Sequence, residues 1–375
     1  MLKNIKVLVV DDTIVYRKAV SDILIEIPGV EVVGVAHNGN IAVSKIKTLK
    51  PDVLTLDIEM PEMNGLEVLE YLKKNKPNTS AIMISTLTSE GSSMTMKALE
   101  LGAYDFILKP NTSNINDSKK YLRENLTPLI KAFLTGKTTV GQMGAKRKTP
   151  GLPVQTRKPI SKKTVQVSSR SQVSPGKKNA AQYNAEIVTI GISTGGPNAL
   201  ARMMPMLPAN IGVPILIVQH MPPVFTKSLA ASLDKKCQIK VKEAENGEPI
   251  LPNIAYIAPG GKQMKVTAAA DGINRLIKIT DDPPENSCKP SADYLFRSIA
   301  DFYMGRATGV IMTGMGSDGT KGFQALKNKD SFLIGQDEAT CVVYGMPKAP
   351  AEQGLLDSIL PLDKLAGEIV KSLKP

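Results

Sequence analysis

Tryptophan is absent from the sequence, and aromatic residues together make up only 4% of it. That scarcity argues against functions that stack bases or sugar rings on aromatic platforms. The three cysteines, Cys237, Cys288 and Cys341, are odd in number, far apart and in no CxxC pattern. A disulfide framework or a cysteine metal site is therefore not expected, and reduced thiols in a cytoplasmic setting are. No stretch reaches the roughly 18 consecutive apolar residues of a membrane span. The run MLKNIKVLVVDD holds only a short apolar segment, ended by two acids, unlike a secretory leader. Acidic residues are missing altogether from 136–182, where eight Lys and three Arg carry +11 of the formal net charge of +12. The basicity thus belongs to one segment and not to a folded surface. A cytoplasmic, soluble monomer is expected, with no membrane insertion and no specific nucleic-acid partner.

What is present divides into three parts. Over residues 1–134, short β-branched strands (4–10, 31–36, 53–56, 81–84 and 104–108) alternate with helical patterns. Such alternation predicts an α/β domain with a five-stranded parallel sheet, whose ligands bind at the carboxyl ends of the strands. Residues 135–184 lack apolar periodicity and are rich in Gly, Pro, Ser, Thr, Gln and Lys. They read as a disordered basic linker, able to span roughly 40 Å. The alternation resumes over 185–375, predicting a doubly wound, mostly parallel α/β domain. Within it, 237–281 reads as short β segments between Gly and Pro turns, including antiparallel hairpins.

The strand ends of the first domain carry Asp11, Asp12, Asp57, Ser85 and Lys109. Any one of these acids is as well explained by a helix cap or a solvated turn. Five such groups at strand-linked positions are not. Three carboxylates in one crevice repel one another and favour a divalent cation, and Mg²⁺ suits an all-oxygen site. A neutralised Asp57 can then attack a phosphoryl donor, with Ser85 and Lys109 placed to bind the new oxygens. The pieces VVDDT, LDIEMPEMNG, ISTLT and FILKP resemble the receiver domain of two-component response regulators. The resemblance implies a flavodoxin-like fold and phosphorylation of Asp57 by a histidine kinase. It also implies Mg²⁺ on Asp11, Asp12 and Asp57, and a switch through Ser85, Lys109 and the aromatic position at Phe106. Phenylalanine lacks a hydroxyl, which speaks against a hydrogen-bonded form of that switch.

In the second domain, IVTIGISTGGP (187–197) reads as a buried strand turning at Ser193 into a glycine-rich loop and a helix. That arrangement presents a serine hydroxyl at a strand end, backed by amide groups, where an acyl-transfer nucleophile sits. Of two histidines, His37 lies in a polar turn and His220 ends the strand LIVQH. An isolated strand-end histidine is more simply a structural hydrogen bonder, but beside a strand-end serine it becomes a general base. Asp318, in TGMGSDG, is the natural acid to hold the imidazole. The backbone amides of Thr194 and Met315 are candidates for an oxyanion hole. Two literal motifs mislead. Gly191–Gly195 fits GxSxG, but the chain order Ser193, His220, Asp318 differs from the Ser–acid–His order of α/β-hydrolases. Gly314–Gly319 fits GxGxxG, but Asp318 would set a carboxylate against a pyrophosphate.

The segments GISTGGP, VQHMPPVFT, APGGKQM, DDPPENSCKPSADYLFRSIA, MTGMGSDG and QDEATCVVYGMP resemble the chemotaxis protein-glutamate methylesterase domain. Together with the receiver they resemble full-length CheB-type response regulators. The resemblance implies a phosphorylation-activated serine hydrolase acting on glutamate methyl esters of chemoreceptor cytoplasmic helices. Methanol would be released for sensory adaptation, and glutamine deamidation often accompanies it. It implies a CheA-type kinase as phosphodonor, no cofactor for the esterase step, and Ser193, His220 and Asp318 as nucleophile, base and orienting acid. Ser317 stands where an asparagine is common. An unphosphorylated receiver is expected to cover Ser193. The rivals are an adaptor with an idle triad and a DNA-binding regulator using the basic linker.

Overall fold

The computed structural model describes residues 4–76, 78–110, 114–143 and 180–373. Most of the stretch expected as linker, 144–179, lies outside the described residues. The first unit runs β1 (Ile5–Val10), α1 (Ile14–Ile25), β2 (Val30–Ala36), α2 (Gly39–Leu49), β3 (Val53–Asp57), α3 (Gly65–Asn75), β4 (Ser80–Ser85), α4 (Ser89–Leu101), β5 (Asp105–Leu108) and α5 (Ile115–Met143). Its sheet is parallel, in the order β2-β1-β3-β4-β5. The order reverses between β1 and β3, which opens a crevice at their carboxyl ends. Local chemistry sets the helix starts. Asn64 and Glu67 form a reciprocal capping box at α3, and the Thr88 side chain accepts from Gly91 N at α4.

The second unit continues with β6 (Ile187–Ile192), α6 (Gly196–Met203), β7 (Ile215–Gln219), α7 (Phe225–Asp234), β8 (Lys240–Glu243), β9 (Ile254–Ile257), β10 (Gln263–Ala268) and β11 (Arg275–Thr280). Then come α8 (Ala292–Tyr303), β12 (Ala307–Ile311), α9 (Thr320–Asn328), β13 (Phe332–Gln336), α10 (Lys348–Glu352), β14 (Ser358–Leu360) and α11 (Leu362–Lys371). Seven strands form a parallel sheet, β14-β13-β12-β6-β7-β9-β8. Every residue of β6, β7, β12 and β13 is buried, as helices on both faces require of central parallel strands. From β6 the chain winds outward through β7, then returns to β12 on the other side. The carboxyl ends of β12, β6 and β7 therefore flank one topological switch point.

The hairpins expected within 237–281 reduce to one. β10 and β11 pair antiparallel, but β8 pairs parallel with β9 inside the main sheet. The turn after β8 is spent elsewhere: Gly247 N donates to Ile277 O, Ile277 N to Glu248 O, and Ile279 N to the Asn246 side chain. The Asn-Gly pair thus docks onto β11 and does not fold β8 back on a neighbour. Helix α5 also runs past residue 134, the expected end of the first domain, to Met143.

Candidate active site

Ser193 follows the central strand β6. Its N–H extends the sheet by donating to Thr313 O at 3.0 Å, and its carbonyl accepts from Gly196 N at 2.7 Å and Gln219 Nε2 at 3.0 Å. The turn needs both of its glycines. Gly195 has φ +74°, and a Cβ on Gly196 would lie 2.0 Å from Gln219 Oε1. Among the described residues the Ser193 hydroxyl, Thr194 N–H and Met315 N–H have no hydrogen-bond partner. Ser193, Thr194, His220 and Met315 line one cavity of about 210 Å³.

His220 follows β7, and its N–H donates to Ile192 O at 3.1 Å. Its Nε2 lies 2.8 Å from Asp318 Oδ2. With Nε2–H donating there, Nδ1 carries the lone pair that can take a proton, with Cys288 Sγ 3.7 Å away. Asp318 follows β12 and is itself fully held. Its oxygens accept from Ala292 N at 2.6 Å, Ser291 Oγ at 2.8 Å, Asn286 Nδ2 at 3.1 Å and Asp293 N at 3.2 Å. The carboxylate therefore sits on the first amides of α8, where the helix dipole favours negative charge. Burial pushes its pKa up, but the His220 ring, the Ala292 amide and the Ser291 hydroxyl outweigh it and bring the group down to about 2. Burial pulls the imidazole down, and its hydrogen bond to the Asp318 carboxylate, its contact with Cys288 and their charges hold it up, to about 9.

Five neighbours escape sequence reasoning. Asn286, Ser291 and the α8 amides brace Asp318 from 25 to 32 positions away in the chain. Cys288 Sγ lies 3.7 Å from His220 Nδ1. Nothing in the spacing of the cysteines announces that approach.

In the first unit, Asp11, Asp12 and Asp57 present carboxylate oxygens within 4.8 Å of one another. Lys109 Nζ is 2.6 Å from Asp57 Oδ2 and 3.1 Å from Asp11 Oδ2, one ammonium shared between two buried carboxylates. Three carboxylates against this one ammonium form an all-oxygen cluster of net negative charge, which fits a hard divalent cation such as Mg²⁺. Burial pushes Asp57 up to about 7; Lys109 opposes the rise and Asp11 adds to it. An acid raised on folding loses the protein stability as pH rises through about 7, and a cation that needs the ionised form restores it. Mg²⁺ is therefore expected to raise the melting temperature more at pH 8 than at pH 5.5, its stabilisation at pH 8 amounting to about 2.7 kcal/mol at a hundredfold excess over Kd. An equal shift at both pH values in a thermal melt contradicts this. Ser85 Oγ, expected from the sequence to bind phosphoryl oxygens, accepts from Thr95 Oγ1 at 2.7 Å and faces the Thr86 and Gly91 carbonyls. It is turned toward α4.

The two units meet beside the serine. Phe106 stacks on Phe225 of α7, ring centroids 4.8 Å apart and 16° from parallel. Ser92 Oγ meets Ser228 Oγ at 2.8 Å, Glu100 pairs with Lys236 at 2.6 Å, and Asn198 Nδ2 donates to Ala103 O at 3.0 Å. Phe106, Asp105 and Leu108 line the same cavity as Ser193 and His220. The β5–α5 face of the first unit is thus one wall of the serine's cavity.

These features define a receiver domain joined to an α/β output domain with serine, histidine and aspartate gathered at adjacent strand ends. Residues 188–369 match the CheB methylesterase family and residues 7–118 the response regulator receiver domain. A protein-glutamate methylesterase/protein-glutamine glutaminase of Desulfotalea psychrophila is 60% identical, with 100% of both chains covered. The Bacillus subtilis protein of that name is 41% identical over 99% of each chain. The crystallised Thermotoga maritima CheB methylesterase catalytic domain is 41% identical, with a TM-score of 0.49, covering 50% of this chain and 98% of that one. The chain belongs to the CheB family of response-regulator protein-glutamate methylesterases/protein-glutamine glutaminases.

Proposed function

We propose that this chain hydrolyses γ-glutamyl methyl esters on the cytoplasmic helices of methyl-accepting chemoreceptors, and deamidates receptor glutamines at the same site. The observation that carries the reading is His220, held by a fully braced Asp318, lining one cavity with an unpartnered Ser193 hydroxyl and two free amides. Ser193 Oγ attacks the ester carbonyl as His220 Nδ1 takes its proton. The oxyanion is received by Thr194 N–H and Met315 N–H, each such donor being worth about 10²–10³ in rate. His220 returns the proton to the leaving group, methoxide departing as methanol or, in deamidation, the amide nitrogen departing as ammonia. Water then attacks the acyl-serine by the same route, freeing a glutamate carboxylate. Asp318 keeps the ring in the Nε2–H tautomer and stabilises the imidazolium.

A CheA-type histidine kinase is the phosphodonor in this reading, and Asp11, Asp12 and Asp57 would hold Mg²⁺, which neutralises their charge and orients the donor. In the unphosphorylated chain the receiver walls off Ser193. A phosphoryl group adds about −1.5 to −2 charge at Asp57. Turning Ser85 toward it costs the contacts of Ser85 with α4. Helix α4 carries Ser92 and Glu100, which grip α7. Phosphorylation thereby shifts the population toward the undocked form.

The deciding experiment is methanol release from a methylated receptor fragment by the full chain, with and without a small phosphodonor and Mg²⁺. Release that rises with phosphodonor supports the reading, and no release sinks it. Phe106→Ala removes an aromatic stack worth about 1 kcal/mol beyond its area. Its unstimulated rate is expected to be about fivefold higher, with correspondingly less stimulation. An unchanged unstimulated rate counts against receiver docking as the brake.

A further inference from the structure

The Cys288 thiol lies beside the base and has no role in the proposed esterase reaction. Its backbone closes a tight turn, Glu285 N donating to Cys288 O at 3.1 Å and Cys288 N to Glu285 O at 2.7 Å. Asn286 and Ser287 both adopt positive φ in that turn, at 49° and 62°. Asn286 is tied by its side chain to both Asp318 and Asp293. The thiol is therefore carried on a frame fixed to the triad itself. It reaches His220 Nδ1 at 3.7 Å, on the nitrogen that Asp318 leaves free.

We propose that His220 Nδ1 and Cys288 Sγ form a binding site for a thiophilic divalent cation, zinc above all, whose occupancy arrests the esterase. Zinc bonds imidazole nitrogen at about 2.0–2.1 Å and thiolate sulfur at about 2.3 Å. Two such ligands at a tetrahedral angle lie about 3.5–3.7 Å apart, which matches the separation already present. The second requirement of a histidine ligand is also met, since its other ring nitrogen is held by a carboxylate, Asp318. The ring, thiol and carboxylate atoms all fall within 4.8 Å of one another. Asp318 nonetheless occupies the opposite ring nitrogen, so it orients the ligand and does not share the ion. Binding replaces the S–H bond with an S–Zn bond, the proton passes to solvent, and no oxidation state changes. Solvent fills the remaining positions.

The consequence is a chain with two cation sites of opposite character. The oxygen cluster at Asp11, Asp12 and Asp57 selects hard ions, and the nitrogen–sulfur pair selects soft ones. An ion on Nδ1 removes the lone pair that takes the serine proton, whatever the state of the receiver.

The arrest rests on His220 acting as base, but the binding does not, and the two can be tested apart. Metal-free full-length protein is titrated with Co²⁺, whose bond to thiolate gives an intense near-ultraviolet charge-transfer band. The band is expected in the parent chain and lost in both Cys288→Ser and Cys288→Ala. No band, or a band that survives both substitutions and so comes from Cys237 or Cys341, overturns the site. In parallel, methanol release is followed against buffered Zn²⁺, each protein normalised to its own metal-free rate. Saturating zinc is expected to cut the parent rate by about 10²–10⁴, the span a general base supplies. Cys288→Ser is expected to need about 10–100 times more zinc, the range by which even an outer partner changes metal affinity. Equal zinc sensitivity of the two proteins, or equal inhibition by Mg²⁺, overturns the proposal. If the metal-free protein releases no methanol, the esterase reading fails and the cobalt band still decides the site.

Discussion

Ser193→Ala is expected to lower methanol release from a methylated receptor fragment by about 10⁶-fold, the loss that follows removal of a nucleophile from an intact triad. The size follows from how little else the site offers. The neighbouring hydroxyl of Thr313 donates to Thr194 O at 3.0 Å and accepts from Val342 and Val343 amides, so it is committed to the loop. His220 Nδ1 would still activate a water, and Thr194 and Met315 would still polarise a carbonyl, which is why a residue of catalysis over water should remain. The fold should not move. The hydroxyl has no partner to lose, and what anchors the residue is its backbone, through Thr313 O, Gly196 N and Gln219 Nε2. The variant should therefore match the parent in melting temperature and still take up phosphate at Asp57. Substantial methanol release from it would mean that Ser193 is not the nucleophile.

Much of this architecture is legible in the chain because the relevant residues are tied to strand ends. IVTIGI, ILIVQ and FLIGQ read as continuous apolar runs, and they are the fully buried strands β6, β7 and β13. A residue that ends such a run must emerge at the sheet's carboxyl edge, so Ser193, His220, Asp11 and Asp57 could be placed before any contact was known. Asp318 needed one more step, since six residues of loop separate it from Ile311. The region 240–280 was not legible for an opposite reason. Its Asn246-Gly247 turn is bonded to β11, some thirty residues further on, and local turn chemistry carries no mark of that partner. The same holds for Cys288. Its approach to His220 is created by a turn that docks on Asp318, and spacing arithmetic on three scattered cysteines points the other way.

Asp318→Asn tests the bracing of the base, with an expected loss of about 10⁴ in kcat, the effect of presenting the imidazole in the wrong tautomer. In the parent, every donor around the carboxylate points inward: the ring Nε2–H, Ala292 N–H, Ser291 O–H, Asp293 N–H and the Asn286 amide. An asparagine replaces one acceptor oxygen with an NH₂ that must face some of those donors. If it faces the ring, His220 has to present Nε2 as acceptor and carry its proton on Nδ1, where it cannot receive one from Ser193. That position also costs Ala292 N–H its acceptor, since the ring and Ala292 share Oδ2; if the NH₂ takes the Oδ1 position, Ser291 Oγ, Asn286 Nδ2 and Asp293 N–H lose theirs, at about 1–3 kcal/mol for a buried unsatisfied group. The pH dependence separates tautomer from stability. The parent's imidazole, held up to about 9 by Asp318 and Cys288 against its burial, should give a rate that climbs through that range as the neutral base appears. Without the carboxylate, burial is opposed by less, and the limb should move to lower pH even as its plateau collapses. Stability should respond at the acid end. A carboxyl lowered to about 2 on folding contributes stability above its unfolded value of 3.8, lost as pH falls toward 2. Asp318→Asn should therefore flatten the melting temperature between pH 4 and pH 2 relative to the parent. A variant that keeps the parent's pH–rate limb would show that Asp318 does not act through His220, whatever its effect on stability.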